Sequence, residues 1–341
     1  MKSFLLKLSC ILTLILATTV FSGANNYASA EVKKVSLAKQ FGLSYLPLIV
    51  MENHKLIEKH VKAAGLGDIE VKWYTFGGGA AMNDALLSGN LDFPSGGVGP
   101  LIKIWGKTKG NLNVKGVAAI NAMPLYLNTS NKDVKTIADF TDKDRIALPA
   151  VKVSIQAVIL QMASAKMFGQ DNYDKLDHLT VSMKHPDGMA ALVSGSSEIT
   201  AHLTSPPFMF QELDDPNIHL VFSSFDVLDG PHTFNNVWTS AKFREENPKT
   251  YAAVLAALEE AMDIINKDKH AAAELYVSAA KSKLSVEAVY KMLSDPAIQF
   301  TTVPNNTMKF ANFMSDIGAI KVKPDTWKDM FFSEIHDKPG S

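Results

Sequence analysis

The sequence predicts an α/β protein of two domains, each built on a mixed sheet, joined by hinge strands and completed by a run of helices. Three observations carry that expectation. Short alternating or apolar stretches are repeatedly followed by a turn rich in glycine, serine or proline and then by apolar residues at helical spacing. This pattern restarts near residue 123, after a short Met-Pro link, and from Pro248 onward the strands give way to successive helices.

The first 30 residues place Lys2 and Lys7 before the apolar stretch Ile11 to Ala17 and end in Ala28-Ser29-Ala30. That is the pattern of a secretory signal peptide cleaved after Ala30, which gives an exported protein. A retained anchor is the alternative, but the uninterrupted apolar part is too short to span a bilayer. The single cysteine, Cys10, lies inside this segment. A mature chain without cysteine excludes disulfides, thiolate metal sites and cysteine nucleophiles, and its core alone must hold the fold. The formal charge of −1 becomes −3 once Lys2 and Lys7 are removed, which argues against nucleic acid as a partner. With 47% apolar and 20% charged residues the composition is that of an ordinary globular protein.

Val32 to Ala38 alternates as a strand and leads through Lys39-Gln40-Phe41-Gly42-Leu43-Ser44-Tyr45-Leu46-Pro47 into a helix reaching about Ala64. In that loop Ser44 can cap or donate, while Phe41 and Tyr45 can wall a ligand site or fill the core.

Ile69 to Thr75 is the next strand, and Phe76-Gly77-Gly78-Gly79-Ala80 turns it into a helix with Met82, Ala85 and Leu86 on one face. Glycine lets backbone approach a ligand, and the first amides of a helix have no intrahelical partner, so Gly78, Gly79 and Ala80 suit a small anion. A tight connection without ligand is the other reading. No phosphate loop is present, because no Gly-Lys-Ser/Thr follows, and Met82 replaces the third glycine of a dinucleotide fingerprint. Leu91-Asp92-Phe93 reads as a short strand, followed by the glycine-rich turn Pro94 to Pro100 around Gly97 and a helix carrying Trp105. Ligands of such sheets bind at loops beyond the carboxyl ends of strands.

Val114 to Ile120 and Pro124 to Thr129 are strands, after which the second unit, about 123 to 235, repeats the pattern. Strands at Arg145 to Ala150, Leu179 to Met183 and Ile199 to Leu203 alternate with helices at Ser154 to Phe168 and Asp187 to Val193. Three of its turns can face a ligand: the helix start at Ser154 with Gln156 in the first turn, Lys184 to Gly188 with His185, and Thr204 to Phe208 with His202 just before it. Ser154 and Asp187 are equally N-caps. His185, His202 and His232 lack the close spacing of a zinc site, so no metal and no cofactor are expected. Phe234 to Ser240 leads back, which places hinge crossings near 122 to 129 and 234 to 241. Helices follow at Pro248 to Lys267, His270 to Lys281, Val286 to Leu293 and Thr307 to Ile317, and no chemistry is assigned to them.

No Gly-x-Ser-x-Gly elbow, zinc spacing or paired-acid cluster points to an enzyme, so no catalytic residue is assigned. The order of corners at Phe41 to Pro47, Gly77 to Ala81 and Gly96 to Pro100, the inserted second domain and the helical tail resemble the periplasmic substrate-binding proteins of ABC importers. Within them the chain is most similar to the branch associated with nitrate, alkanesulfonates, taurine and thiamine-pyrimidine precursors. The similar pieces are Gly79-Ala80-Ala81-Met82-Asn83-Asp84-Ala85-Leu86-Leu87-Ser88-Gly89-Asn90-Leu91-Asp92 and Met189-Ala190-Ala191-Leu192-Val193-Ser194-Gly195.

The resemblance implies the type II two-lobed fold, with lobe 1 from 31–122 and 236–341 and lobe 2 from 123–235. It further implies a monomer working with an inner-membrane ABC permease. Ligand contacts carry over to Phe41, Ser44, Tyr45, Gly78 to Ala80, Gly97, Ser154 with Gln156, His185, His202 and Phe208. The only arginines, Arg145 and Arg244, are on no expected cleft loop, so a bidentate clamp on an anion is missing. Backbone amides can hold a small anion, and the aromatic loops equally fit a flat heterocycle or an aromatic carboxylate.

Overall fold

The alternating stretches form strands and the 3.6-residue patterns form helices across residues 30–341, which the computed structural model describes. The expected signal peptide lies outside the described residues except for Ala30, and residues 31–341 form one unit. Strand β1 (Lys34–Lys39) pairs parallel with β2 (Glu70–Thr75), Lys34 opposite Glu70 and Lys39 opposite Thr75. Between them the single helix expected to Ala64 is two, α1 (Leu46–Asn53) and α2 (Leu56–Ala63). Lys55, in the left-handed region at φ 51°, breaks it. The break lets α1 lie buried on most of its surface while α2 buries only Leu56, Ile57 and Val61.

Next come α3 (Gly79–Leu87), β3 (Ser95–Gly97), α4 (Val98–Thr108) and β4 (Lys115–Ala119). The strand expected at Leu91 to Phe93 begins later, at Ser95, inside the stretch read as a turn. Only Phe93 bridges to β1, donating its amide to the Ser36 carbonyl at 2.9 Å and accepting from the Ala38 amide at 3.0 Å. The middle of the chain holds β5 (Tyr126–Thr129), β6 (Ile146–Leu148), α5 (Ile155–Phe168), β7 (Thr180–Ser182), α6 (His185–Ser194), β8 (Ala201–Thr204), α7 (Phe208–Leu213), β9 (His219–Ser223) and α8 (Ser224–Val227). Strand β9 and helix α7 escaped the sequence reading because β9 is only half-buried and lacks a clear period. The chain returns through β10 (Asn235–Thr239) and ends in α9 (Ala241–Glu246), α10 (Pro248–Lys267), α11 (Lys269–Ala279), α12 (Val286–Ser294) and α13 (Thr307–Asp316).

Residues 126–223 form a five-stranded mixed sheet, β7-β6-β8-β5-β9, in which β6 runs parallel to β7 and β8 while β5 opposes both its neighbours. A separate sheet, β3-β10-β4, is antiparallel throughout. The two crossings therefore pair one step earlier than expected. The Phe234 amide donates to the Asn121 carbonyl at 3.1 Å and the Ile120 amide to the Asn235 carbonyl at 2.9 Å, while β5 belongs to the second sheet. Helix α10 of the helical tail packs on α1 and α2.

Gly116 on β4 shows how tightly the interior is fitted. A Cβ there would stand 2.3 Å from Cδ1 of Phe331, a fully buried side chain. Overpacking of this kind costs about 2 kcal/mol, and Gly116→Ala is expected to lower the melting temperature by roughly 5 °C. An unchanged melting curve would mean that the Phe331 segment moves away freely. Among the described residues no helix is long and apolar enough to cross a membrane.

Candidate functional site

Four helices begin at one place. Gly79 opens α3, Gly97 caps α4, Ser154 caps α5 and His185 opens α6, and all four line the same inner cleft with Gln40, Tyr45, Gln156 and Asn235. The first amides of a helix lack intrahelical acceptors and carry the positive end of its dipole, so the convergence creates positive potential without a cationic side chain. Neither α3, α4 nor α6 has a side-chain cap. The Val98 amide of α4 is spent on the Phe234 carbonyl at 3.1 Å. Ser154 behaves as a cap, accepting from the Ala157 amide at 3.2 Å and donating to the Ala150 carbonyl at 2.8 Å.

The cleft is shut. A Cβ on Gly97 would lie 2.5 Å from Ile155 Cγ2, and one on Gly99 would lie 2.9 Å from the Val153 carbonyl oxygen. Gly42, at φ +116°, turns the chain so that the Leu43 amide donates to the Pro206 carbonyl at 3.0 Å. The space left for the centre of a water-sized sphere is about 10 Å³, room for about one water. Outside it a groove of about 890 Å³ runs past Gln40, Phe41 and Phe208.

The expected site residues divide accordingly. Tyr45, Gly79, Gly97, Ser154, Gln156 and His185 come together in the inner cleft. Phe41, 40% exposed, and Phe208 line the outer groove, with the Phe208 ring stacked 5.7 Å from that of His185. Gly78 caps α3 beside the Pro149 carbonyl, and Ala80 sits half-buried in the first turn; neither lines the cleft. Ser44 is fully buried behind the wall, its carbonyl accepting from Asn121 Nδ2 at 2.6 Å, and it too stays out of the cleft. Gly79 packs against Pro100 and the buried Trp238 ring, so the glycine corner serves close packing as well.

His202 lies one layer behind His185 and does not face the cleft. Its Nε2 is 3.0 Å from His185 Nδ1, its Nδ1 is 2.5 Å from Glu212 Oε1, and all three residues are buried. Gln156 Nε2 lies 3.1 Å from His185 Nε2 on the cleft side. Burial first, and then the neighbouring His202, holds the His185 imidazolium well below the usual 6.5. Burial likewise pushes the Tyr45 phenol up, and its hydroxyl donates to Asn235 Oδ1 at 3.3 Å.

Sequence reasoning missed Gln40, Pro149, Asn235 and Glu212. The pair Asn235-Asn236 carried a signal, because two adjacent amides in a strand with apolar Phe234, Val237 and Trp238 need buried partners. Glu212, inside Phe208 to Leu213, carried none. Arg145 and Arg244 stay off the cleft, as expected. Arg145 donates to the Asp142 and Asp144 carbonyls, and Arg244 pairs with Glu334 at 2.6 Å.

His232 stands apart from the other two histidines, accepting from the Ser224 hydroxyl at 2.8 Å and donating to the Thr233 carbonyl at 2.9 Å. Burial lowers it to about 4, the Thr233 carbonyl opposing. The folded protein therefore leaves His232 neutral where the unfolded chain, at about 6.5, is protonated. Stability from this group is complete above about pH 6.5 and is lost as pH falls toward about 4, by up to about 3 kcal/mol. His232→Asn should flatten the fall of melting temperature across that window, and a slope identical to the parent's would refute the assignment.

A scan of protein-family models finds none that matches the chain, and no curated protein matches either. Solved structures do match. The alkanesulfonate-binding protein SsuA from Xanthomonas axonopodis pv. citri, bound to MOPS, superposes with a TM-score of 0.67 at 17% identity, over 86% of this chain and 96% of its own. The periplasmic nitrate-binding protein NrtA from Synechocystis PCC 6803 gives 0.68 at 15% identity, over 87% and 84%. The chain has the periplasmic binding-protein fold. The periplasmic aliphatic sulphonate binding protein SsuA from Escherichia coli shares that fold, with a TM-score of 0.62 at 18% identity over 88% of this chain and 99% of its own. The inner cleft is lined both by Gly97, on the three-stranded sheet, and by residues that follow strands of the five-stranded sheet, Pro149, Ser154 and His185.

Proposed function

We propose that this chain is the solute-binding component of an ABC importer, exported with removal of residues 1–30, which captures a small anion of the sulfonate, taurine or nitrate type. The single observation behind this reading is the meeting of four helix N-termini in a cleft that no lysine or arginine lines. Partial charges and neutral donors suit a small anion. Lobe 1 comprises 31–122 with 236–341, and lobe 2 comprises 123–235. Capture requires the lobes to part about the paired crossings at 120–122 and 233–235, admit the ligand and close, and the closed form is the one offered to an inner-membrane permease. The protein acts as a monomer and performs no chemistry.

A second reading rests on Phe208 stacked over His185 at the rim, beside the exposed Phe41. Those rings suit a flat heterocycle or an aromatic carboxylate. The deciding experiment unfolds and refolds residues 31–341 to strip carried ligand, then records melting temperatures with taurine, alkanesulfonates, nitrate, aromatic carboxylates and pyrimidines. A ligand at about 100 times its dissociation constant adds about 2.7 kcal/mol, a shift of several degrees. Shifts with the small anions support capture at the helix N-termini. Shifts with the flat compounds alone transfer the assignment to the aromatic rim, and no shift with any compound removes both ligand classes.

A further inference from the structure

Behind the cleft, Glu212, His202 and His185 form a single file of hydrogen bonds that ends on the cleft-facing nitrogen of His185. Glu212 is held by two donors, Asn128 Nδ2 at 2.9 Å on Oε2 and His202 Nδ1 at 2.5 Å on Oε1. Gly188 on α6 makes the file possible, since a Cβ there would lie 2.8 Å from His202 Nε2. Because Glu212 accepts from His202 Nδ1, one proton more or less reverses every bond beyond it. With His202 neutral, its bare Nε2 accepts from His185 Nδ1–H, and His185 Nε2 is then a bare acceptor receiving Gln156 Nε2–H. With His202 protonated, its Nε2–H donates to His185 Nδ1, and His185 Nε2–H becomes a donor that the Gln156 amide must meet with its oxygen or yield to an anion in the cleft. Thr204 Oγ1, 3.0 Å from His185 Nδ1, shares that nitrogen's single hydrogen or lone pair with His202.

We propose that the Glu212, His202 and His185 file sets the polarity of the His185 nitrogen facing the cleft, so that the protein takes up one proton when it closes on an anion. This rests on the solute-capture reading above and adds proton linkage to it. His185 is the specificity-determining contact, and His202 and Glu212 are positioning residues acting through it. In the first state an anion meets a lone pair backed by the Glu212 charge; in the second it meets an N–H backed by a neutral ion pair. Linkage is reciprocal, so an anion that favours the second state draws the proton in. His185 itself stays neutral in both states, consistent with burial that disfavours its charged form. The elements packed on the file supply no competing charge within hydrogen-bond reach among the described residues. Strand β5 presents Asn128, β8 Thr204 and α5 Gln156, the loop before α1 presents the neutral Tyr45, and Lys184, just before α6, pairs with Asp187 of α6 at the surface at 3.7 Å.

The test is calorimetric titration of the mature protein with taurine, methanesulfonate and nitrate in buffers of different ionisation enthalpy, from about pH 6 to about pH 9. For an anion that binds, uptake should approach one proton toward the alkaline end, with the dissociation constant rising about tenfold per pH unit there. Glu212→Gln should bind with no proton uptake and no slope, and more tightly than the parent at alkaline pH. Its amide can donate to His202 Nδ1 and still accept from Asn128, which reverses the file without a proton. Binding by the parent without proton uptake across the range would overturn the proposal. If none of the three anions binds, the capture reading fails separately, and the file is still decided in the unliganded parent by nitrogen-resolved NMR of the imidazoles. His185 Nε2 should pass from bare to protonated as pH falls between about 9 and about 5; a single state throughout would overturn the proposal.

Discussion

Gly97→Ala is expected to leave the fold intact and to weaken ligand binding by roughly 100-fold. The backbone at Gly97 is extended, with φ −62° and ψ 162°, a conformation any residue adopts, so the substitution adds no backbone strain. Loss of the glycine N-cap costs at most about 1 kcal/mol. Across the closed cleft the situation differs, because the new methyl would stand 2.5 Å from Ile155 Cγ2 and 2.7 Å from Ile155 Cβ. Ile155 is buried in the first turn of α5 and cannot turn aside cheaply. An overpacked contact of this kind costs up to about 3 kcal/mol, and separation of the two walls relieves it. The penalty therefore falls on the closed state alone, and the apparent dissociation constant rises as the closed-competent fraction falls. Small-angle scattering of Gly97→Ala with saturating ligand should give a larger radius of gyration than the parent. Parent-like affinity together with parent-like scattering would show that closure does not need this contact.

The same contact shows what the sequence could and could not convey. Strands with a clear period, such as Glu70 to Thr75, and helices bounded by caps, such as Ser154 ahead of Ile155 to Phe168, were legible because the signals are local. Corners rich in glycine suggested a site, and Gly79 and Gly97 line the inner cleft. What each glycine touches was not legible. Gly79 is small because Pro100 and Trp238 press on it, and Gly97 because Ile155 does, 58 positions away. The aromatics of the first loop separated for a similar reason. Tyr45 turns inward to Asn235, 190 residues distant, whereas Phe41 stays at the rim. Local pattern fixes which residues are available, while pairings at long sequence separation decide which of them meet. His202 is the sharpest case. Its position at the end of a strand beside a turn suggested a ligand contact, yet its two ring nitrogens are engaged by His185 and Glu212.

Glu212→Ala is expected to destabilise the protein by about 4 kcal/mol, a fall of roughly 10 °C in melting temperature. Glu212 is a carboxylate with no exposed surface, and its partner His202 has none either. Removing the carboxylate leaves the buried His202 Nδ1 and one Asn128 Nδ2 hydrogen without acceptors, while Met209 keeps the other at 2.9 Å. It also opens a void where four heavy atoms were packed. Glu212→Gln retains volume, an acceptor for Asn128 and a partner for His202, so its cost should be about 1 kcal/mol. The exposed pair Lys62 with Asp68, 3.9 Å apart, offers the contrast, since solvent and salt screen it and its removal should be hardly measurable. Raising ionic strength should leave the gap between Glu212→Ala and the parent unchanged, because a buried pair is poorly screened. Equal melting temperatures for the alanine and glutamine variants would show that the polar bonds contribute nothing and that packing alone sets the cost. A glutamine variant close to the parent and an alanine variant far below it would establish that the layer behind the cleft is held by hydrogen bonding.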